Sequence, residues 1–151
     1  LAREYLNSND ELFIGACDNG IEIDLKSFEL ENNLLRFLPS GITSLSQLED
    51  LQIYNNLLAE LPFFIGNMTQ LSNFEANNNL LKKIPESIGD LVNLTTFTLQ
   101  NNYITTLPES LCNILDSELY INLVCNLLDS DVEGTVPECV QAYLGNQNCG
   151  H

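Results

Sequence analysis

The chain has 151 residues and a net charge of −16, from 21 acidic and 5 basic side chains. This length fits one domain with a core of its own. Such a negative surface repels the phosphates of nucleic acids and of anionic lipids, so both are poor candidate partners. Because no run of about 18 apolar residues occurs, the sequence also predicts no membrane insertion.

The dominant signal is a repeat of 23 residues over residues 25–128. Leu51, Phe74 and Phe97 occupy one position of the unit, and Ile121 continues the series after a spacing of 24. Apolar and polar residues alternate around this position, which predicts one short strand per unit with one face inside. Since a single unit cannot bury its leucines, the units must stack into a solenoid with capped ends.

Two further positions of the unit mark its turns, a proline and an asparagine. Leu-Pro or Ile-Pro pairs on the far side of the unit fix the backbone and stop strand continuation there. An asparagine follows each strand, where a buried amide can satisfy backbone groups of the neighbouring turns. These asparagines are Asn33, Asn56, Asn79, Asn102 and Asn126.

These residues resemble the leucine-rich-repeat family, whose pattern is LxxLxLxxNxLxxLPxxIGxLxxL. The resemblance implies an α/β-type solenoid, a short arc of about five coils with a parallel β-sheet on the concave face. It divides the chain into an N-terminal cap (1–24), leucine-rich repeats (25–128) and a C-terminal cap (129–151). The segment Gly-Ala-Cys-Asp-Asn-Gly around Cys17 and the cysteine-bearing C-terminal end are similar to extracellular members from plants, algae and other protists.

Four of the five cysteines lie between residues 112 and 149, which predicts a disulfide-stapled cap and an oxidising compartment. Four cysteines allow three pairings. The cap contains a degenerate copy of the Leu-Pro-Glu-Ser-Leu-Cys segment that ends at Cys112. Because equivalent positions of adjacent coils lie close together, we favour the pairs Cys112–Cys139 and Cys125–Cys149. The alternative is a cytosolic protein with reduced cysteines buried as small apolar groups.

Two N-glycosylation sequons support secretion or an organelle lumen. They are Asn67-Met68-Thr69 and Asn93-Leu94-Thr95. Both fall on the outer side of the repeat just before the next strand, so glycans there would leave the concave face free.

The outward positions of the strands form the default binding surface of such a solenoid. The first three coils carry acids there, and the last two are neutral and polar. Tyr54 and Tyr120 are aromatic side chains of the kind that anchor interfaces. The candidate surface comprises Ser27, Glu29, Glu31, Asp50, Gln52, Tyr54, Asn73, Glu75, Asn77, Thr96, Thr98, Gln100, Tyr120, Asn122 and Val124.

Catalysis is not expected. The single histidine is the last residue, His151, which removes ordinary Ser-His and Cys-His arrangements. No glycine-rich phosphate loop is present, and we predict no cofactor. The acids Asp129, Asp131 and Glu133 invite a calcium interpretation, but they lack the frame of an EF-hand loop, so no metal site is predicted.

The sequence therefore predicts a non-catalytic recognition module that binds a protein, as a possible subunit of a larger secreted or lumenal assembly. The negative charge of the chain favours a basic partner. Polysaccharide or cell-wall binding, or inhibition of a wall-degrading enzyme, is a second hypothesis. Ice binding is a third, although Thr96 and Thr98 are not matched by Glu75, Gln52 or Glu29 on the other strands. A cytosolic scaffold resembling the Ras-group leucine-rich-repeat proteins is the fourth.

Overall fold

The computed structural model describes residues 25–116, 118–145, 147 and 149. The described part of the chain winds into five coils, each contributing one strand to a single parallel sheet whose strand order is the chain order. The N-terminal cap with Cys17 lies outside the described residues. The strands are β1 (Ser27–Glu29), β2 (Asp50–Gln52), β3 (Asn73–Glu75), β4 (Thr96–Thr98) and β5 (Tyr120–Asn122).

Short 3-10 helices form the side of each coil opposite the sheet. A proline immediately precedes four of them and holds the backbone extended before the turn. Their short i→i+3 turns let successive coils stack without the width of full α-helices. The described 3-10 helices are Ser40–Ser44, Ile65–Asn67, Glu86–Asp90, Glu109–Ile114 and Glu138–Tyr143.

The pairing register follows the repeat found in the sequence. Leu51 pairs with Phe74 and Phe74 pairs with Phe97, each after 23 residues, while Phe97 pairs with Ile121 after 24. The central residues of β2, β3 and β4 are fully buried. The rings of Phe74 and Phe97 stack with centroids 5.3 Å apart. The predicted solenoid with a parallel sheet is therefore confirmed.

Four of the five repeat asparagines form a buried column, the asparagine ladder: Asn56, Asn79, Asn102 and Asn126. The Asn102 amide oxygen accepts a hydrogen bond from the Leu81 backbone N–H at 3.0 Å. Its amide nitrogen donates to the carbonyl oxygens of Ala76 and Leu99 at 3.0 and 2.9 Å. The other three make the same bonds one coil earlier or later. Asn33 differs because its side chain is exposed and bonds carbonyls of its own coil.

A second asparagine column precedes the ladder and was not predicted. The backbone there takes positive φ values between 54° and 59°, a conformation that asparagine tolerates better than most residues. Three of these asparagines are exposed and one is half-buried. The column consists of Asn32, Asn55, Asn78 and Asn101, and Cys125 takes the same conformation in the fifth coil.

The glycine of the Ile-Gly pair allows the 3-10 helices to approach one another. A Cβ atom on Gly66 would lie 2.1 Å from the Ser87 carbonyl oxygen, and one on Gly89 would lie 2.4 Å from that of Ser110. Both distances are far below van der Waals contact. The glycine in this motif is therefore required by coil packing.

The last coil and its cap are cross-linked as the sequence predicted. Disulfides join Cys112 to Cys139 and Cys125 to Cys149, with Cα–Cα distances of 5.8 and 5.2 Å. The side chain of Gln147 extends the hydrogen bonding of the ladder by one step. It accepts from the Asn126 N–H at 3.0 Å and donates to the Leu123 carbonyl oxygen at 3.1 Å.

Candidate functional site

The outward positions of the five strands form one continuous concave surface. On the first three coils, the side chains at the start of the strands are Ser27, Asp50 and Asn73, and Asp50 connects them. The Asp50 carboxylate accepts hydrogen bonds from Ser27 at 3.1 Å, Gln52 at 2.9 Å and Asn73 at 2.7 Å. Asn73 also donates to Glu75 at 3.1 Å. The surface of the first three coils is therefore held in place by hydrogen bonds between neighbouring strands.

Tyr54 lies within the acidic part of this surface. Desolvation by its surroundings raises the pKa of the Tyr54 phenol above its ordinary value of 10.0, and the charges of Glu31, Glu75 and Glu29 raise it further. The phenol, on the second coil, is thus close enough to three carboxylates on the first and third coils to feel their charge. We call Tyr54 with Glu29, Glu31 and Glu75 the acidic patch.

The surface of the fourth and fifth coils is neutral and less uniform. Thr98 is buried, and its hydroxyl donates to the Asn77 amide oxygen at 3.0 Å. The Gln100 side-chain oxygen is buried without a hydrogen-bond partner among the described residues. Thr96 is half-buried, whereas Tyr120 is 59% exposed. Asn122 is half-buried, and its amide oxygen accepts from the Val124 N–H at 3.1 Å.

The two tyrosines do not form one pocket. Tyr54 follows β2 and Tyr120 begins β5, so three strand spacings of about 4.8 Å, or roughly 14 Å, separate them across the sheet. The structure brings Tyr54 together with acids and leaves Tyr120 near neutral groups. An interface that used both would have to span most of the concave surface.

The outer side carries an aromatic surface that the sequence reasoning missed. Phe63 is 70% exposed and Phe64 is 59% exposed, and their rings meet edge to face with centroids 4.9 Å apart. Phe37, Phe63 and Lys83 line an open groove of about 530 Å³ that crosses the first three coils. The signal was available, because the second coil has Phe-Phe after its Leu-Pro pair where the other coils have a serine, glycine, glutamate or cysteine.

Both sequon asparagines are exposed on this outer side. The Asn93 amide nitrogen donates to the Thr69 carbonyl oxygen at 2.7 Å. In the cap, the Asp129 carboxylate accepts from the Asp131 backbone N–H at 3.0 Å, so it closes a turn of its own chain. Within the described residues, no three His, Cys, Asp or Glu side chains are placed to hold a metal ion. That part of the chain also has no helix long and apolar enough to cross a membrane.

Comparisons with known proteins agree with this architecture. The family model for the leucine-rich repeat matches residues 93–114. A solved leucine-rich-repeat protein of Leptospira interrogans is 34% identical, with a TM-score of 0.64, over 68% of this chain and 26% of its own. A solved plant ice-binding protein is 27% identical, with a TM-score of 0.61, over 69% of this chain and 35% of its own. A search of the curated proteins gave no match.

The repeat, the coil geometry and these matches define the class: the chain belongs to the leucine-rich-repeat family. Such domains typically mediate protein interactions and are non-catalytic recognition modules. The chain spans about a quarter of the length of the first solved protein and about a third of the second. Its two disulfides indicate a non-cytosolic environment.

Proposed function

We propose that the protein is a recognition module that binds a basic protein partner through the acidic patch of its concave surface. The observation that carries this proposal is the position of Tyr54 among Glu29, Glu31 and Glu75, whose charges raise its pKa. An aromatic ring near three carboxylates suits an arginine or lysine side chain of the partner, which can lie over the ring while it pairs with the acids. Charge complementarity of this kind also speeds association.

Asp50 supports the patch without belonging to it. Its carboxylate already accepts bonds from three neighbours, so it is less available to a partner than the glutamates. These bonds fix the side chain of Gln52, which lies between Glu29 and Glu75 in the sheet, and that of Asn73 beside the patch. A prearranged surface loses less conformational entropy when a partner binds.

The size of the surface favours a modest partner or a place inside a larger assembly. Five strands at about 4.8 Å spacing give a concave surface only about 20 Å wide across the strands. A typical stable interface buries about 800 Å² on each side, which a surface of this width supplies only together with other faces of the protein. The aromatic groove on the outer side is one face that could contribute.

A charge-matched pair of variants tests the proposal. Glu29→Gln, Glu31→Gln and Glu75→Gln combined change the net charge from −16 to −13. The control carries three Glu→Gln changes at exposed positions outside both the strands and the groove, and has the same net charge. The control positions are Glu109, Glu133 and Glu138.

The partner for this test is the protein that co-purifies with the chain from its native source. We expect the patch variant to weaken binding at least tenfold, measured by calorimetry, with a shallower salt dependence than the control. Equal affinities of patch variant and control would contradict the proposal. Tyr54→Ala should also weaken binding, and Tyr120→Ala is a second variant of the concave surface. Unchanged affinity in both variants would exclude binding through the concave surface.

The compartment is tested separately by intact mass spectrometry of the native protein. We expect four oxidised cysteines and glycans on Asn67 or Asn93, as in a secreted or lumenal protein. A bare chain with reduced cysteines would support the cytosolic scaffold instead.

Ice binding is a second candidate, favoured by the asparagine column at positive φ, three of whose four members are exposed, and by the similarity to a plant ice-binding protein. Asn55 donates to the Asn32 amide oxygen at 2.8 Å, and Asn101 donates to that of Asn78 at 2.7 Å, so the amides form two hydrogen-bonded pairs along the column. Measurable thermal hysteresis that disappears when Asn55 and Asn78 are replaced by glycine would favour this candidate. No hysteresis would remove it.

A further inference from the structure

The second coil departs from the repeat at two exposed positions of the same turn. Phe64 stands where the neighbouring coils have Gly41, Ser87 and Ser110. Three residues later, Asn67 begins a sequon. The other coils have neither an aromatic residue nor a sequon at these two positions.

The backbone brings these two departures together. Phe64 immediately precedes the 3-10 helix Ile65–Asn67, and the Asn67 N–H donates to the Phe64 carbonyl oxygen at 3.0 Å. Both side chains therefore leave one tight turn, and both are exposed. The ring of Phe63 packs edge to face against Phe64 and restricts its orientation.

We propose that the Phe64 ring is the platform on which the first sugar of an N-glycan on Asn67 packs. The C–H groups on one face of a pyranose form an apolar surface that matches the face of an aromatic ring. A large exposed aromatic side chain is costly in water, and such a contact would cover it. The glycan would then stabilise the second coil as well as shield it.

The modification itself rests on the proposed lumenal location. The Asn67 amide nitrogen loses a proton and forms a bond to C1 of N-acetylglucosamine. The bond from that carbon to the diphosphate of a lipid-linked oligosaccharide breaks, and the lipid diphosphate leaves. Thr69 completes the acceptor sequence and is exposed beside the asparagine.

The second sequon provides an internal control. Three residues before Asn93 stands Asp90, a carboxylate in place of an aromatic ring. Its other near neighbour in sequence, Val92, is exposed but has no flat face. A glycan on Asn93 therefore has no equivalent platform and should not gain stability from Phe64.

The experiment is a double-mutant cycle between glycan and ring. The full chain is made in a eukaryotic secretory host with Thr95→Ala, which leaves only the Asn67 sequon, or with Thr69→Ala, which leaves only the Asn93 sequon. Each form is compared, with and without Phe64→Ala, against the same sequence made without glycans in a bacterial periplasm. The readout is the midpoint of thermal unfolding, with glycan occupancy checked by mass spectrometry.

We expect the Asn67 glycan to raise the midpoint by about 2–4 °C, a rise that Phe64→Ala abolishes. The effect of the Asn93 glycan should be the same with either residue at position 64. An Asn67 glycan whose effect is unchanged by Phe64→Ala would overturn the platform and leave the lumenal proposal intact. Native protein with oxidised cysteines and a bare Asn67 would likewise overturn only this inference, whereas reduced cysteines with a bare Asn67 would overturn both.

Discussion

The middle coils and the C-terminal end solve the same packing problem by different means. In the second to fourth coils, the ladder side chains of Asn56, Asn79 and Asn102 accept hydrogen bonds from buried backbone N–H groups of the preceding coil. The fifth coil has no sixth coil of the same kind beyond it among the described residues. There, two disulfides and the side chain of Gln147 take over. A repeating interior therefore needs bonds of a different kind at its end, where no further repeat supplies the next asparagine.

The largest effect should come from cutting the ladder in its middle. Asn102→Ala removes one acceptor and two donated bonds and leaves the Leu81 N–H and two carbonyls buried without that partner. We expect a loss of about 3–5 kcal/mol in the free energy of unfolding, measured by urea titration. The control is Asn101→Gly, an exposed neighbour at positive φ, which should cost well under about 1 kcal/mol. Similar losses in both variants would mean that the ladder does not distinguish the middle coils.

Removing a staple should have a smaller and more local effect. Replacing Cys112 and Cys139 by alanine opens a link across 27 residues, for which we expect a loss of about 2–4 kcal/mol. Amide hydrogen exchange should show the cap opening first, while β2 and β3 keep their protection. Uniform loss of protection across all coils would show that the cap and the middle coils unfold as one unit.

Removing the Gln147 side chain, which extends the ladder, should lower the free energy of unfolding by a still smaller amount. Gln147→Leu removes the partner of the Asn126 N–H and one of the two donors to the Leu123 carbonyl oxygen, which keeps its bond from the Asn126 side chain. We expect a loss of about 1–2 kcal/mol by the same urea titration. Gln141→Leu, on an exposed side chain of the last 3-10 helix, is the matched control and should be close to neutral. Equal effects would mean that Gln147 does not act as a ladder residue.

The smallest effect concerns the concave surface rather than stability. Combined Glu→Gln changes at residues 29, 31 and 75 remove the charges that add to the raised pKa of Tyr54, so that pKa should move down towards 10.0. Because the folded pKa is raised, the contribution of Tyr54 to stability is fully present below about pH 10 and is lost as the pH rises through the folded value. NMR titration of labelled tyrosine measures the shift. No change of the Tyr54 pKa would mean that the glutamates lie too far away to form a patch.

Much of this fold could be predicted from the sequence because its determinants recur. The strand positions and the buried asparagines follow from counting along the repeat, and the Cys112–Cys139 pair follows from the degenerate copy of the Leu-Pro-Glu-Ser-Leu-Cys segment in the cap. Gln147 could not be found in this way. The 23-residue period places the next asparagine after Asn126 at position 149, which holds Cys149, and Gln147 reaches the same bonds with a longer side chain from another place.

The candidate site was less predictable than the fold. Alternation along a strand shows which side chains point outward, but not how neighbours cover them. Thr98 is buried against Asn77, and the side-chain oxygen of Gln100 is buried, because adjacent coils cover them. The grouping of Glu29, Glu31 and Glu75 around Tyr54 needs the lateral distances between strands, which no single repeat contains. Which side chains a partner contacts therefore stays a prediction.

The equal spacing of the coils has a mechanical consequence. Pulled from its ends, the middle of the solenoid should yield in steps of equal length, since each coil stores 23 residues, about 80 Å of extended chain. The residues enclosed by the two overlapping disulfides, from Cys112 to Cys149, would add little to that extension while both bonds last. A reducing agent would release them as one additional, longer step, so the redox state of the surroundings sets how far this protein can stretch.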